Sequence, residues 1–589
     1  MEIQTLECQG FFCFFSQNRE SFGQDGTPYN RSRIDRHIML LGVVKELMNR
    51  FKSRYARYIA AALSTALIAG AVLLYRNLPA KLQPETKPHS LTKKEVKPQR
   101  EKTIPEKLEE LDRTYPFGEP PEGSARTYWG AGKGKNLIVV QLESFQNFVL
   151  NASVQGQQVA PVLKQLSKES LYFPYIFQQI GVGNTSDAEF AASTSIYPIG
   201  FSAMSTTYAD RKLPSLAKLL GRNNYVTATF HVNDVTFWNR DQMYPALGFH
   251  AYYDKPYFSK VKFSRFGASD EELFRVGIRK MKTMRKLDKR FYAQFVTVTS
   301  HSPYKIKEAD KRLHLPDDFA DGRLGDYLTA VNYTDYALGT FIDKLKRSGL
   351  WDTSVVVIYG DHFGLHKRYH RPATVSKALG IPYHKHISTY NVPLIIHLPG
   401  QHEGKRIERT GGQIDILPTV ANVMGIDLKQ EKFTAFGHDL ANVGHNIVGS
   451  RYYMPAGSFF NDDIVFVAGK NGFEDGKAYD LRTLLPVQNV ERYRPDFEFI
   501  QKRMGLSDRY VKRLPARPGV KLESQSKQEP AGAKAPPKAE TGPGAKPGEK
   551  QAGNDGPAGP RAKPSPNGKA GKDGSKERIK QPAADHPAR

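Results

Sequence analysis

Val355-Val356-Val357-Ile358-Tyr359-Gly360-Asp361-His362-Phe363-Gly364 is a short apolar run, rich in β-branched residues, that stops at a glycine and hands on an Asp-His pair. A continuous run of this length bounded by glycine predicts a strand buried on both faces. Four other runs have the same texture: residues 137–142, 225–230, 295–299 and 394–398. Pro393 stands just before the last of them, where a strand start tolerates it. Between the runs lie stretches with helical patterning, such as 215–220 and 327–345. Strands alternating with helical patterns predict an α/β fold, with a mostly parallel central sheet flanked by helices.

In open α/β sheets, ligands bind outside the carboxyl ends of the strands. Residues 137–142 end in Glu143, and 225–230 end in His231. Residues 295–299 are followed by Ser300-His301, and the quoted run delivers Asp361-His362. Glu143, Asp361 and His362 form an O,O,N ligand set for one divalent cation. Mixed carboxylate and imidazole ligands suit Mn²⁺ or Zn²⁺, with Mg²⁺ less favoured. At least one more ligand atom is needed, and Thr185 in Gly183-Asn184-Thr185-Ser186-Asp187 is the candidate. A metal-bound hydroxyl has a lowered pKa and becomes a nucleophile. The same segment has the polar start and acidic first turn of a helix, whose N-terminus can receive phosphate. Local sequence leaves open whether Thr185 is a nucleophile or only an N-cap.

The segment 231–241 is dense in functional side chains. Arg240 is suited either to grip phosphate oxygens in a forked geometry or to form an ion pair. Trp238 offers a flat wall for a polyol or a packing surface, and His231 a hydrogen bond. His301 could bind substrate or protonate a leaving oxygen. His366, His370, His384 and His386 fall in a stretch rich in Lys, Arg and Tyr, expected to be a solvated loop over the site.

The 589-residue chain carries 85 Lys+Arg against 60 Asp+Glu, a net charge of +25. That balance favours anionic partners: nucleic acid, a membrane surface or an acidic polymer. The two cysteines, Cys8 and Cys13, both precede the main body, which excludes a disulfide framework or a Cys-ligated metal there. Residues 1–56 are unpatterned. Residues 57–76 enclose an uncharged stretch from Tyr58 to Tyr75, near the lower limit for spanning hydrocarbon. Arg50, Lys52, Arg54 and Arg57 before it argue for a cytoplasmic N-terminus and an uncleaved anchor. Residues 77–130 read as a Lys/Glu/Pro-rich linker, 131–516 as the catalytic domain, and 517–589 as a disordered Pro/Gly/Lys-rich tail.

Six ordered motifs carry a family resemblance: Gln141-Leu142-Glu143-Ser144-Phe145-Gln146, Gly183-Asn184-Thr185-Ser186-Asp187, Thr236-Phe237-Trp238-Asn239-Arg240-Asp241-Gln242, Ser300-His301-Ser302-Pro303-Tyr304, Tyr359-Gly360-Asp361-His362-Phe363-Gly364 and Gly412-Gln413-Ile414-Asp415-Ile416-Leu417-Pro418-Thr419. Residues 130–510 resemble the extracellular catalytic domain of lipoteichoic acid synthases, in the sulfatase and alkaline-phosphatase-like superfamily. The resemblance implies a single metal site at Glu143, Thr185, Asp361 and His362, typically holding Mn²⁺, with Thr185 as nucleophile. It implies that His231, Trp238, Arg240 and His301 hold the glycerophosphate group. The implied reaction moves glycerol phosphate from phosphatidylglycerol to a polyglycerolphosphate chain through a glycerophospho-threonine. The alternative within the superfamily is a phosphoglycerol transferase that primes a glycolipid acceptor, or a phosphodiester hydrolase. A sulfatase proper would need Cys or Ser where Thr185 stands. The implied place is the cell membrane of a Gram-positive type of bacterium, with one pass and the catalytic domain outside; nucleic acid is not an expected partner. Two features depart from the family. It carries about five membrane helices where this chain shows one candidate, and Asn233 stands where an acidic residue is common. The basic tail lies outside the resemblance and fits either contact with anionic wall polymer or a flexible extension.

Overall fold

The computed structural model describes residues 100–520, except residues 119, 122, 318, 320, 321 and 367–369. The expected membrane anchor at 57–76 and nearly all of the expected tail lie outside the described residues. No helix among the described residues is long and apolar enough to cross a membrane.

The central sheet is built from β1 (Asn136–Leu142), β2 (Leu171–Phe177), β3 (Val226–Phe230), β4 (Ala251–Tyr253), β5 (Phe291–Val296), β6 (Ser354–Gly360), β7 (Asn391–His397), β8 (Lys405–Arg406) and β9 (Gly411–Gly412). Their order is β8-β2-β7-β6-β1-β5-β3-β4, with β9 also on β2. Every pairing is parallel except the two that β7 makes, with β2 and with β6. The sheet is therefore mixed but mostly parallel. Along β1, Leu137 and Val139 enter the core on one face while Ile138, Val140 and Leu142 enter the core on the other. Residues 355–359 of β6 divide the same way, which is why their sequence is apolar without alternation. One face is covered by the long helices Asp270–Lys286 and Gly322–Arg347; the other by Thr185–Thr194, Leu216–Arg222 and Ile416–Val423. Ser215 caps Leu216–Arg222 by accepting from the Lys218 N–H at 3.2 Å.

Two of the departures from the sequence expectation concern prolines. β2 was not among the five expected strands, because Pro174 interrupts it, and Pro393 lies inside β7 rather than ahead of it. The departures have one cause. Phe173 pairs with Leu394 and Ile176 with Val392, so Pro174 and Tyr175 oppose Pro393 in a bulge. Neither proline can donate a ladder hydrogen bond, and the bulge places both where none is required.

A second, antiparallel sheet follows: Ile447–Ser450, Ser458–Asn461, Ile464–Gly469 and Gly472–Asp480. Helix Arg494–Arg513 packs beside it. Against that helix lies Ile104–Asp112, inside the expected linker. It forms because Thr103 and Glu106 make a reciprocal capping box, and it buries Ile104 and Leu108, one turn apart. Tyr115 then stacks on Phe499 at 4.4 Å between ring centroids.

This docking has a titratable latch. Tyr115 Oη donates to Asp496 Oδ1 at 2.5 Å and stands 3.1 Å from His445 Nε2, while His445 Nδ1 lies 2.7 Å from Asp462 Oδ2. The hydrogen bond to Asp462 holds His445 above the ordinary histidine range. A histidine raised on folding contributes stability fully below its unfolded pKa of about 6.5 and loses it as pH rises through the folded value. The stability difference between the native chain and His445→Gln is therefore expected to be larger near pH 5.5 than near pH 8.5 (both about one to two units from the free value). Chemical denaturation at the two pH values measures it; a difference that grows with pH would refute the latch.

Candidate active site

The carboxyl ends of β6, β1, β5 and β3 lie side by side and nearly flush. Leu142 pairs with Gly360, Gln141 with Val296, and Phe230 with Phe295. That register gathers Glu143, Asp361, His362, His231 and His301 along one edge. Thr185 arrives from β2, through the loop 178–184, as the first residue of helix Thr185–Thr194. It is not the N-cap. Asn184 holds that position, with φ 41° and ψ −111° and no side-chain capping bond.

Thr185 Oγ1 donates to Glu143 Oε2 at 3.0 Å and stands 3.4 Å from His362 Nε2. Ser144 Oγ donates to Glu143 Oε1 at 2.7 Å. Asp361 Oδ1 accepts the backbone N–H groups of Ser144 and His362 at 2.7 and 2.6 Å. Asp361 Oδ2 is buried and has no hydrogen-bond partner. His362 Nδ1 faces the Phe363 carbonyl at 3.0 Å, so that nitrogen carries the proton and Nε2 presents its lone pair. Nε2 is 3.5 Å from Glu143 Oε1 and 3.6 Å from Asp361 Oδ2.

These residues fit a cation. Ligand atoms of Glu143, Asp361 and His362 all lie within 4.8 Å of one another. Burial and then the neighbouring Glu143 carboxylate push Asp361 well above the usual carboxylate range. Burial opposes ionisation of Glu143 too, but its surroundings, with His301 beside it and the Ser144 and Thr185 hydroxyls donating to it, together hold that carboxyl low. Burial lowers His362 and keeps it neutral. Two buried carboxylates forced apart in this way, one with an orphan oxygen beside a neutral imidazole lone pair, are what a divalent ion would unite.

The side chains expected to hold substrate are each fixed in a different way. His231 Nδ1 faces the Val296 carbonyl at 2.9 Å, which leaves Nε2 as an acceptor. Burial, and then the Arg240 charge, lower its pKa to about 3, so it stays neutral. His301 Nδ1 faces the Ser302 carbonyl at 2.7 Å, and its ring lies 4.2 Å from that of Phe266. Trp238 is half-buried, edge-on to Phe237, and has a left-handed backbone with φ 61°. A bulky residue held there signals a conformation fixed by its surroundings. Arg240 is fully buried. Its Nε and Nη2 donate to Glu189 Oε1 at 2.9 and 2.5 Å, and Nη1 donates to the Phe237 carbonyl at 3.3 Å. The ion-pair option is thus realised, but in the interior, with a partner the sequence did not reveal. One N–H on Nη1 and one on Nη2 lie outside these bonds.

Several residues that set the site were missed. Glu189 was one; it sits one helical turn beyond Thr185 and also accepts from Tyr244 Oη at 2.9 Å. Asp187 is another: its carboxylate accepts the Gly181, Gly183 and Met204 N–H groups at 2.9–3.0 Å and so shapes the loop before Thr185. Gly183 is required there, because a Cβ would lie 2.4 Å from Asp187 Oδ1. Gln141 Nε2 donates to the Thr185 carbonyl at 3.1 Å, and Tyr453 Oη to Asn184 Oδ1 at 2.6 Å. The only advance signal was that Gln141 and Asp187 fall inside the quoted motifs. The four histidines at 366–386 are not a solvated loop: His370 and His386 are buried, and His366 packs on Phe363 at 4.8 Å. Their apolar partners come from elsewhere in the chain, such as Tyr453 and Tyr479.

A protein-family model described as Sulfatase matches residues 135–426. Lipoteichoic acid synthase 2 of Bacillus subtilis (strain 168) is 32% identical over 391 residues, which is 65% of this chain and 57% of that protein. Lipoteichoic acid synthase of Staphylococcus aureus (strain NCTC 8325 / PS 47) is 33% identical over 382 residues, 63% of this chain and 57% of its own. The crystal structure of the lipoteichoic acid synthase LtaP from Listeria monocytogenes superposes with a TM-score of 0.64 at 37% identity, covering 70% of this chain and 99% of that one. The chain thus spans less than two thirds of those two curated relatives and nearly all of the crystallised one.

Proposed function

This chain belongs to the lipoteichoic acid synthase family, built on a sulfatase-type α/β domain, and from that premise we propose that it is a metal-dependent glycerophosphotransferase. The donor is phosphatidylglycerol and the acceptor a polyglycerolphosphate chain. One observation carries the proposal. Thr185 Oγ1 sits at a helix N-terminus, 3.0 Å from Glu143 and 3.4 Å from His362, beside the orphan Asp361 oxygen.

In the first step the Thr185 hydroxyl passes its proton to Glu143 Oε2 and its oxygen bonds to phosphorus. The bond from phosphorus to the diacylglycerol oxygen breaks, and His301 Nε2 protonates that oxygen. In the second step His301 takes the proton of a terminal glycerol hydroxyl, which displaces Thr185; Thr185 regains its proton from Glu143. A divalent ion held by Glu143, Asp361 and His362, with Thr185 as fourth ligand, would neutralise charge and acidify the threonine hydroxyl. His231 Nε2 accepts from a glycerol hydroxyl, Trp238 walls the glycerol, and the remaining Arg240 N–H groups face phosphate oxygen.

Mass spectrometry of the chain after exposure to phosphatidylglycerol and Mn²⁺ tests this. A glycerophosphate adduct on the Thr185 peptide, with diacylglycerol released, is expected. If no divalent metal supports diacylglycerol release, the proposal fails. Water as sole acceptor would instead make the chain a hydrolase, and a preferred glycolipid acceptor would make it a primase.

The cation has a separate readout. Mn²⁺ at a hundred times its dissociation constant stabilises a native site by about 2.7 kcal/mol. Asp361→Asn is expected to lose most of that gain while being more stable than the native chain in chelator, because it removes the carboxylate repulsion. Thermal unfolding with Mn²⁺ and with EDTA decides it; equal Mn²⁺ shifts in both proteins would remove Asp361 from the site.

A further inference from the structure

One loop beside the pocket has a role in neither the fold nor the chemistry above. Residues 259–266 read Ser-Lys-Val-Lys-Phe-Ser-Arg-Phe. The base of the loop is fixed to the pocket wall. Phe266 packs on the His301 ring, and Arg265 Nη2 donates to the Ser302 carbonyl at 3.4 Å. Gly267 lies so close under Val232, the neighbour of His231, that a Cβ would meet its carbonyl oxygen at 2.6 Å. Phe263 stacks on Tyr333 at 4.8 Å. The tip is the opposite. Lys260 and Lys262 are exposed, and Val261 between them is 73% exposed. Among the described residues no carboxylate pairs with Lys260, Lys262 or Arg265.

A second exposed apolar group borders the nucleophile's own loop. Phe201 is 84% exposed. It follows Gly200, whose carbonyl accepts the Val182 N–H at 3.0 Å and whose Cα would lie 2.5 Å from a Cβ on Gly181. Gly181 and Val182 lead directly into Gly183-Asn184-Thr185. Two segments that hold pocket residues in place thus each extend an unpaired apolar side chain into solvent, and one flanks it with lysines.

The geometry points to Lys260, Val261, Lys262 and Phe201 as the elements that seat the pocket mouth on an anionic phospholipid surface. This rests on the reading that the donor is a phospholipid. Lysines flanking a soluble polyanion site would have no use for exposed Val261 and Phe201. At a bilayer interface such side chains enter the headgroup region while the cations meet lipid phosphates. The consequence is positional: the donor phosphate is met at the surface instead of being extracted far from it.

The crystallised Listeria chain is matched over 99% of its length by 70% of this chain, so the 100–520 portion serves for the test. Its co-sedimentation with vesicles of phosphatidylglycerol and phosphatidylcholine is compared with phosphatidylcholine alone. Each lysine near an anionic surface is worth roughly fivefold in partition, so Lys260→Glu with Lys262→Glu is expected to weaken binding about 25-fold or more. Val261→Asp and Phe201→Asp are expected to weaken it too. All of these variants should still release diacylglycerol from a short-chain, monomeric phosphatidylglycerol at the native rate. Unchanged vesicle binding in the double lysine variant overturns the proposal. So does unchanged binding in both aspartate variants while soluble polyglycerolphosphate competes, which marks a soluble polyanion site instead. Vesicle binding that behaves as expected, with no turnover of monomeric lipid by the native domain, sinks the catalytic reading and leaves the surface standing.

Discussion

Thr185→Ala removes all diacylglycerol release and all covalent adduct, with the rate falling roughly 10⁴-fold or more, as loss of a nucleophile does elsewhere. The size follows from the geometry. The neighbouring hydroxyls among the described residues are engaged elsewhere: Ser144 Oγ is turned onto Glu143 Oε1, and Ser186 Oγ onto the Gly183 carbonyl at 3.0 Å. Alanine costs the fold little, because Thr185 caps nothing and its carbonyl bond from Gln141 does not involve the side chain. Asp361, Glu143 and His362 remain, so Mn²⁺ should still raise the unfolding temperature of the variant. Thr185→Ser keeps a hydroxyl and should recover part of the activity. A variant that loses turnover and Mn²⁺ response together would indicate a collapsed site instead of a missing nucleophile. One that keeps turnover would assign the chemistry to another residue.

Glu189→Ala is expected to destabilise the domain by about 3–5 kcal/mol, the usual cost of stranding one partner of a buried ion pair. Arg240 and Glu189 are both almost wholly excluded from water, and Tyr244 donates to the same carboxylate. Removing the carboxylate leaves a guanidinium and a phenol hydroxyl without their acceptor. Replacing both partners by apolar residues of similar volume, Glu189→Leu with Arg240→Met, should recover most of the stability, since no charge is left buried. Turnover should not recover with it if Arg240 also faces phosphate. Urea unfolding and a diacylglycerol assay on the single and double variants separate the two roles. A loss below about 1 kcal/mol for Glu189→Ala would place the pair in the exposed class.

The residues that converge on the site were legible because the parallel strands carry them. An apolar run marks a buried strand, and the residue after it falls at the carboxyl edge whatever the order of the strands. Glu143, His231 and Asp361-His362 were found that way. The expected run 295–299 was placed late, since β5 is Phe291–Val296 and the chain then leaves the strand for a turn, closed by the His301 N–H on the Val298 carbonyl at 3.0 Å, that carries His301. β2 was not legible: Pro174 argues against a strand until its bulge partner Pro393, some 220 residues away, is known.

What the sequence by itself determined is therefore the mostly parallel sheet and the identity of the groups at its edge, because both follow from local apolar runs and where they stop. The tertiary structure decided the rest. It made Thr185 the first helical residue instead of the cap, turned β7 antiparallel, buried His370 and His386, and gave Arg240 to Glu189 in the interior. Each of these depends on a partner distant in sequence or on one side chain's orientation. No local period encodes such a pairing; it is fixed only when desolvation leaves a buried charge or N–H group with one acceptor in reach.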